Sequence, residues 1–368
     1  MGMTIIIIII SFLCIIETIL PFIIKKTVVF GVSIPDEKVS SPIIRYYKKL
    51  YSAATFSVSA LALILFYLWG IKSNSAEDQL VIVGLVIQFG IMLWSMSLYF
   101  YFHGKVLRLK REQQWYAHLK EVKVTALNLR QGDEMLPWYL FVLPIAITIG
   151  MIIFSLANYT QFPANIPIHW GSSGQPDRFA VKTPFSVISL LLVLLTMQAM
   201  FLGLHELTKK SGIKMNPTNI KGSKNRQLLY RKYTSWFFFL LTILITILFS
   251  FIQVITLYKE LYDTVVMMVL PISFLLLVLA GSLFFAVKVG KLNGSYEGED
   301  DMANKEEVVD IDEDHYWKGG LFYYNKNDPS VFVEKRFGIG WTMNFAHPIG
   351  YIMIVVPILV ILLISFIS

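Results

Sequence analysis

Eight apolar stretches, each about twenty residues long, dominate the chain. They lie at about 3–24, 52–71, 79–102, 137–157, 184–204, 236–257, 263–287 and 349–367. Each is long enough to cross roughly 30 Å of hydrocarbon as a helix. In lipid the backbone must satisfy its own polar groups, so helices are the expected spanning element. The composition agrees: 15% of residues are charged, against about 25% in an ordinary soluble domain. The first stretch lacks a basic leader and a small-residue cleavage site, so it reads as a retained span.

The cations sort the connections. Connections after spans 1, 3, 5 and 7 hold 28 of the 32 Lys and Arg residues, and those after spans 2, 4 and 6 hold the other 4. Basic connections stay in the cytoplasm. The expected fold class is therefore an all-α polytopic membrane protein of eight transmembrane helices with both termini outside. A small cytoplasmic β-rich module is expected between helices 7 and 8. The expected localisation is the plasma membrane, multi-pass, with the lipid bilayer as the first partner and no nucleic acid. Cys14 is the single cysteine, which excludes a disulfide framework and a cysteine zinc site.

The organisation follows. Residues 1–136 hold helices 1–3, and 137–205 form a helix–loop–helix around the outer connection between spans 4 and 5. Residues 206–290 carry a basic inner loop and spans 6–7. Within that part, 206–235 contains "MNPTN" and "KGSKNR" and reads as a flexible connection. Residues 291–315 form an acidic linker, 316–348 the β-rich module and 349–368 the last span. From Glu297 to Asp314 the linker is rich in acids and reads as a solvated, mobile piece. In the module, "GGLFYY", "VFVEKRF" and "GWTMNF" are candidate short strands around turns. Span 3 is expected to continue as a helix through Lys105, Arg108, Lys110 and Arg111.

The outer loop "NIPIHWGSSGQPDRFAVKTP" is the most compact polar feature. Pro163, Pro167 and Pro176 stiffen it, and Gly171 and Gly174 permit turns. His169, Trp170, Gln175, Asp177 and Arg178 are thereby presented at the outer interface as the candidate ligand-binding residues. Three readings compete: a structural cap, a recognition surface, and a catalytic or metal site. The other histidines fall inside the bundle or at its inner ends, so no metal cluster, catalytic set or cofactor is expected. His205 and Glu206 read as an interfacial helix end. Inside span 1, Glu17 is an intramembrane carboxyl, and such a group is a functional candidate. The alternative is a hydrogen-bonded helix contact with Gln88, Gln198 or Gln253. "DIDED" at 310–314 imitates a calcium loop but has His315 at the sixth position and Leu321 at the twelfth, so that reading fails.

Leu143–Pro144 and the run Pro163, Ile166, Pro167, His169, Trp170, Gly174, Pro176, Asp177, Arg178 and Lys182 fit the pattern P-x-x-I-P-x-H-W…G-x-P-D-R. This resembles a bacterial membrane domain of unknown function that also occurs in the immunity protein against the sporulation-delaying toxin peptide. The segment "WKGGLFYYNKNDPSVFVEKRFGIGWTMNF" is similar to a second small domain of unknown function, often fused to the first in Gram-positive bacteria. Trp317, Asn325, Asp328, Arg336, Trp341 and Asn344 carry that likeness. The resemblance implies a membrane protein of a Gram-positive bacterium, with an extracellular peptide and a cytoplasmic protein as candidate partners. Recognition of an external peptide or envelope component through residues 163–183 is the leading expectation for function. Small-molecule transport, hinted at by Pro144, Pro271 and Pro357 within spans, and an outward-facing membrane enzyme are the alternatives.

Overall fold

The computed structural model describes residues 2–73, 77–116, 120–122, 133–171, 174–213, 220–258, 261–295, 308–310 and 312–367. Among them, eight helices are long and apolar enough to cross a membrane. They are α1 (Gly2–Ile23), α2 (Pro42–Lys72), α3 (Glu77–Glu112), α4 (Tyr139–Ala157), α5 (Pro184–Lys210), α6 (Ile220–Leu257), α7 (Thr264–Ser295) and α8 (Pro348–Ile367). Proline opens α2, α5 and α8, where its missing N–H costs nothing and its fixed φ suits the first turn. The chain is thus a multi-pass membrane protein.

The helices pack as two groups. In one, α1 lies against α2 and α3; in the other, α5 lies against α4, α6 and α8. Helix α7 bridges them by touching both α6 and α1. Polar side chains tie the second group together. On α5, Gln198 is fully buried and its amide donates to Thr148 Oγ1 of α4 at 2.9 Å and Thr246 Oγ1 of α6 at 2.8 Å. On α6, Gln253 donates to Ser155 Oγ and to the Val187 carbonyl, both at 2.9 Å. Such bonds between membrane helices contribute about 1 kcal/mol each. Helices α4, α7 and α8 run unbroken through Pro144, Pro271 and Pro357.

The strands are short and lie in the connections. β1 (Val28–Val29) and β2 (Val32–Ser33) form a hairpin between α1 and α2. Its turn, Phe30–Gly31, has positive φ at both residues, +45° and +77°, as a tight hairpin turn requires. Phe30 tolerates that backbone because its ring is buried against Tyr51, Tyr99, Phe102 and Phe337, and burying a Phe is worth about 1.5–3 kcal/mol. β3 (Lys120–Val122) pairs in parallel with β6 (Val308–Asp310). β4 (Asn165–Trp170) pairs with β5 (Pro176–Val181), β7 (Trp317–Lys318) with β8 (Phe322–Tyr323), and β9 (Phe332–Glu334) with β10 (Trp341–Met343).

Segment 312–347 docks on the same end of the bundle as the β1–β2 hairpin. Gly31 and Gly320, both at positive φ, meet back to back: a Cβ at Gly31 would fall 2.7 Å from Gly320 Cα. The Tyr99 hydroxyl of α3 donates to the Gly319 carbonyl at 2.8 Å. Two sequence expectations are corrected at this end, while residues 296–307 and 311 of the acidic linker lie outside the described residues. Residues 220–235 are helical, not a flexible connection, because Arg226, Tyr230 and Arg231 bury against distant partners. Residues 214–219 lie outside the described residues. The acidic linker is pinned at its end: Lys110 Nζ donates to Asp312 at 2.7 Å and to Asp314 at 2.6 Å. His205 is fully buried, with Nε2 2.9 Å from Ser235 Oγ of α6, so it joins two helices instead of facing an interface. Helix α3 continues to Glu112, through Lys105, Arg108, Lys110 and Arg111.

Candidate functional site

The β4–β5 hairpin sits at the bundle end opposite segment 312–347. Its base is fastened by Lys182, whose ammonium donates to the Phe162 carbonyl at 2.7 Å and lies 4.7 Å from the Tyr159 ring centroid. Thr183 then caps α5: it accepts from the Ser186 N–H at 3.0 Å while Ser186 Oγ accepts from the Thr183 N–H at 2.8 Å, a reciprocal capping box. Strand alternation buries Ile166 and its partner Ala180. Ile166 joins Phe162, Val187 of α5 and Leu257 of α6 in a small core beneath the hairpin.

Beyond Pro167 the register shifts, so that His169 pairs with Arg178 and Trp170 with Pro176. That irregularity brings His169 Nδ1 to 2.5 Å from Asp177 Oδ1. An ionised carboxylate only accepts, so Nδ1 carries the proton toward Asp177 and Nε2 is left for an outside partner. The two side chains are 57% and 49% exposed, and a pair that open to water stabilises by less than about 1 kcal/mol. The contact therefore orients the ring far more than it holds the fold. Arg178 is exposed beside them.

The hairpin turn is anchored to the start of α7 and to Tyr262 just ahead of it. The Tyr262 hydroxyl donates to the Gly174 carbonyl at 2.6 Å, and Gln175 Nε2 donates to Thr264 Oγ1 at 2.9 Å. Gly174 has φ +76°, and a Cβ there would meet the Thr264 carbonyl at 2.9 Å. The five expected residues therefore divide by task. Gln175 fastens the turn, and His169, Asp177 and Arg178 form an exposed polar rim. Trp170 walls a cleft of about 170 Å³ together with Ile166 of the hairpin, Leu190 and Val193 of α5, Gln253 of α6 and Ile364 of α8. Local sequence could not reveal the α6 and α8 walls, because those residues are apolar or amide positions on remote spans with nothing to mark them. A cavity of about 150 Å³ accommodates benzene, so this cleft takes one aromatic or branched aliphatic group. Pockets for whole small-molecule ligands are larger, about 300–1,000 Å³.

At the other end, the residues expected in the β-rich module form a second constellation. Asn344 is fully buried; its side chain accepts from the Asn325 N–H at 3.0 Å and donates to the Asn325 carbonyl at 2.8 Å and the Asp328 carbonyl at 3.2 Å. Asp328 accepts from the Tyr323 hydroxyl at 2.8 Å. Arg336 stacks its guanidinium 5.1 Å over Trp317, donates to the Gly31 carbonyl at 3.1 Å and pairs with Asp314. Burial pushes the Asp314 carboxyl up, but Arg336 and Lys110 outweigh it and hold it below the usual carboxylate range. Trp341 stacks on Tyr230 of α6 at 5.5 Å. These residues fold and dock the segment. Lys110, Asp312 and Asp314, absent from the sequence-based candidates, belong to the same junction.

Glu17 does not meet Gln88, Gln198 or Gln253. Gln198 and Gln253 serve the second helix group, while Glu17 lies against Ser95 of α3. Among the described residues no group of three His, Cys, Asp or Glu side chains could hold a metal ion.

Two family models match parts of the chain. A domain of unknown function (DUF1648) matches residues 146–195, which span most of α4, the hairpin and the first part of α5. A family of unknown function (DUF5808) matches residues 326–351, from the turn after β8 into α8. No curated protein and no solved structure gives a significant match.

Proposed function

We propose that this multi-pass membrane protein recognises an extracellular peptide or envelope component through its 163–183 loop, in the service of toxin immunity or signalling. The observation that carries this reading is the cleft walled by Trp170, on the same hairpin whose exposed side chains include His169, Asp177 and Arg178. An apolar side chain of the peptide fills the cleft. Arg178 meets a carboxylate on the peptide, and His169 Nε2 meets a backbone group. The cleft walls belong to α5, α6 and α8 as well as to the hairpin, so occupancy favours one packing of those helices by its difference in affinity for the two arrangements. Transport and outward-facing catalysis have no comparable support: the proline-containing helices are continuous, and the cleft holds a single group.

The loop faces outward in this reading, as the cation distribution requires. With Cys14 replaced by Ala, Val181→Cys reacts with a membrane-impermeant maleimide on intact cells, and Lys318→Cys reacts only after permeabilisation. The opposite pattern removes the outer recognition surface. The recognition step itself is tested by challenging susceptible cells with the sporulation-delaying toxin peptide. Cells expressing the wild-type chain survive, and cells expressing the His169, Trp170, Asp177 and Arg178 to Ala variant at equal membrane abundance lose that tolerance. Equal survival of the two, or no protection by the wild type, defeats the proposal.

A further inference from the structure

We infer that the β7–β8 hairpin lies on the bilayer and seats Phe322 among the lipids at the headgroup boundary, with Lys318 turned to the lipid phosphates. The hairpin has two unlike faces. Cross-strand partners share a face, and the pairs here are Trp317 with Tyr323 and Lys318 with Phe322. Trp317 and Tyr323 are buried and pack with Val333. Lys318 and Phe322 are exposed. One exposed ring by itself would mean nothing, since single apolar side chains are common on protein surfaces.

The place of this ring decides its meaning. Phe322 meets Phe345 edge to face at 5.3 Å, and Phe345 meets Tyr351 in the same way at 6.0 Å. Tyr351 stands in the first turn of α8, and its hydroxyl donates to the Phe345 carbonyl at 3.1 Å. The next residues, Ile352, Ile354 and Val355, are exposed apolar positions on a membrane-spanning helix, so lipid covers them. The chain of rings continues that lipid-facing surface from α8 onto the hairpin.

At its turn the hairpin meets a second span. The Tyr99 hydroxyl donates to the Gly319 carbonyl, and a Cβ at Gly319 would stand 3.0 Å from the Phe100 ring. Phe100 is 42% exposed and lies where the apolar run of α3 ends, just before His103 and Lys105. Both ends of the hairpin are therefore fixed where hydrocarbon gives way to headgroups, and Phe322, 49% exposed, lies between them. Aromatic rings concentrate at that boundary. A lysine beside them lays its stem along apolar surface and keeps its ammonium in the polar layer. The Lys318 ammonium also donates to the His315 carbonyl at 3.1 Å, which holds the charge close to the hairpin.

The test is spin labelling of the full-length chain in liposomes of phosphatidylglycerol and phosphatidylcholine. With Cys14 replaced by Ala, a nitroxide on Phe322→Cys is expected to collide more with oxygen than with a water-soluble nickel chelate. A nitroxide on Ile352→Cys, inside the span, shows the same preference more strongly. Adding Lys318→Glu shifts the label at position 322 toward the chelate, because a carboxylate is repelled by the phosphates. Greater access to the chelate than to oxygen at position 322 places the ring in water and overturns the inference. An unchanged ratio with Lys318→Glu overturns it as well. Spin–spin broadening at position 322 that vanishes on dilution with unlabelled protein assigns the face to a second copy of the chain and also overturns it.

Discussion

Replacing Glu334 by Ala is expected to destabilise the protein by about 3 kcal/mol, toward the lower end of what breaking a buried ion pair costs. Arg226 of α6 donates two parallel bonds to Glu334 of β9, at 2.7 and 2.6 Å. The side chains are 8% and 24% exposed, so the arginine is the more deeply committed partner. Removing Glu334 takes the bidentate carboxylate away from a buried guanidinium. The thermal midpoint of the purified protein in detergent falls by several degrees, and segment 312–347 becomes the first site of proteolytic cleavage. Replacing both partners, Arg226→Met with Glu334→Leu, recovers most of the loss because the buried charge goes together with its carboxylate. A Glu334→Ala variant as stable as the wild type would show that the pair does not hold the segment to α6.

Gly31→Ala is expected to be at least as damaging, for a steric reason. Its Cβ would stand 2.3 Å from the Tyr99 hydroxyl and 2.7 Å from Gly320 Cα. The first contact is with a side chain, but the second is with backbone held from both sides. The positive φ adds about 1–2 kcal/mol and the overpacking about 1–3 kcal/mol. Gly340→Ala supplies the control: its φ is +107° but nothing lies within 4 Å of the added carbon, so it bears the conformational cost alone. Combining Gly31→Ala with Tyr99→Phe relieves only the hydroxyl clash and recovers part of the stability. Equal thermal midpoints for the Gly31 and Gly340 variants would remove the close approach of the two turns from the account.

The spans were legible because hydropathy summed over twenty residues is a property of a segment and its solvent, with no tertiary partner required. Their inner extensions were harder. The start of α6 carries Lys, Arg and Gly residues and looks like a connection until Glu334 and Trp341 are placed against Arg226 and Tyr230. The stiff, glycine-punctuated outer loop was visible from its prolines, whereas the register shift that aims His169 at Asp177 was not, since alternation alone puts successive residues on opposite faces. Val28–Ser33 carried a usable signal in its β-branched residues around Gly31. Phe30 is a poor residue for a positive-φ turn, and the aromatic cluster that compensates comes from three other parts of the chain, α2, α3 and the segment around Phe337. Glu17 was conspicuous by itself; its contact with Ser95 needed the packing of α3.

The back-to-back turns at Gly31 and Gly320 also impose a schedule on biosynthesis. One turn is translated well before its counterpart, with α2 to α7 between them. At about 5–20 residues per second the early hairpin waits on the order of tens of seconds, its aromatic surface uncovered, while six more helices enter the membrane. Closure of that layer waits for the second turn, and a nascent chain stalled before Gly320 lacks the half that completes it.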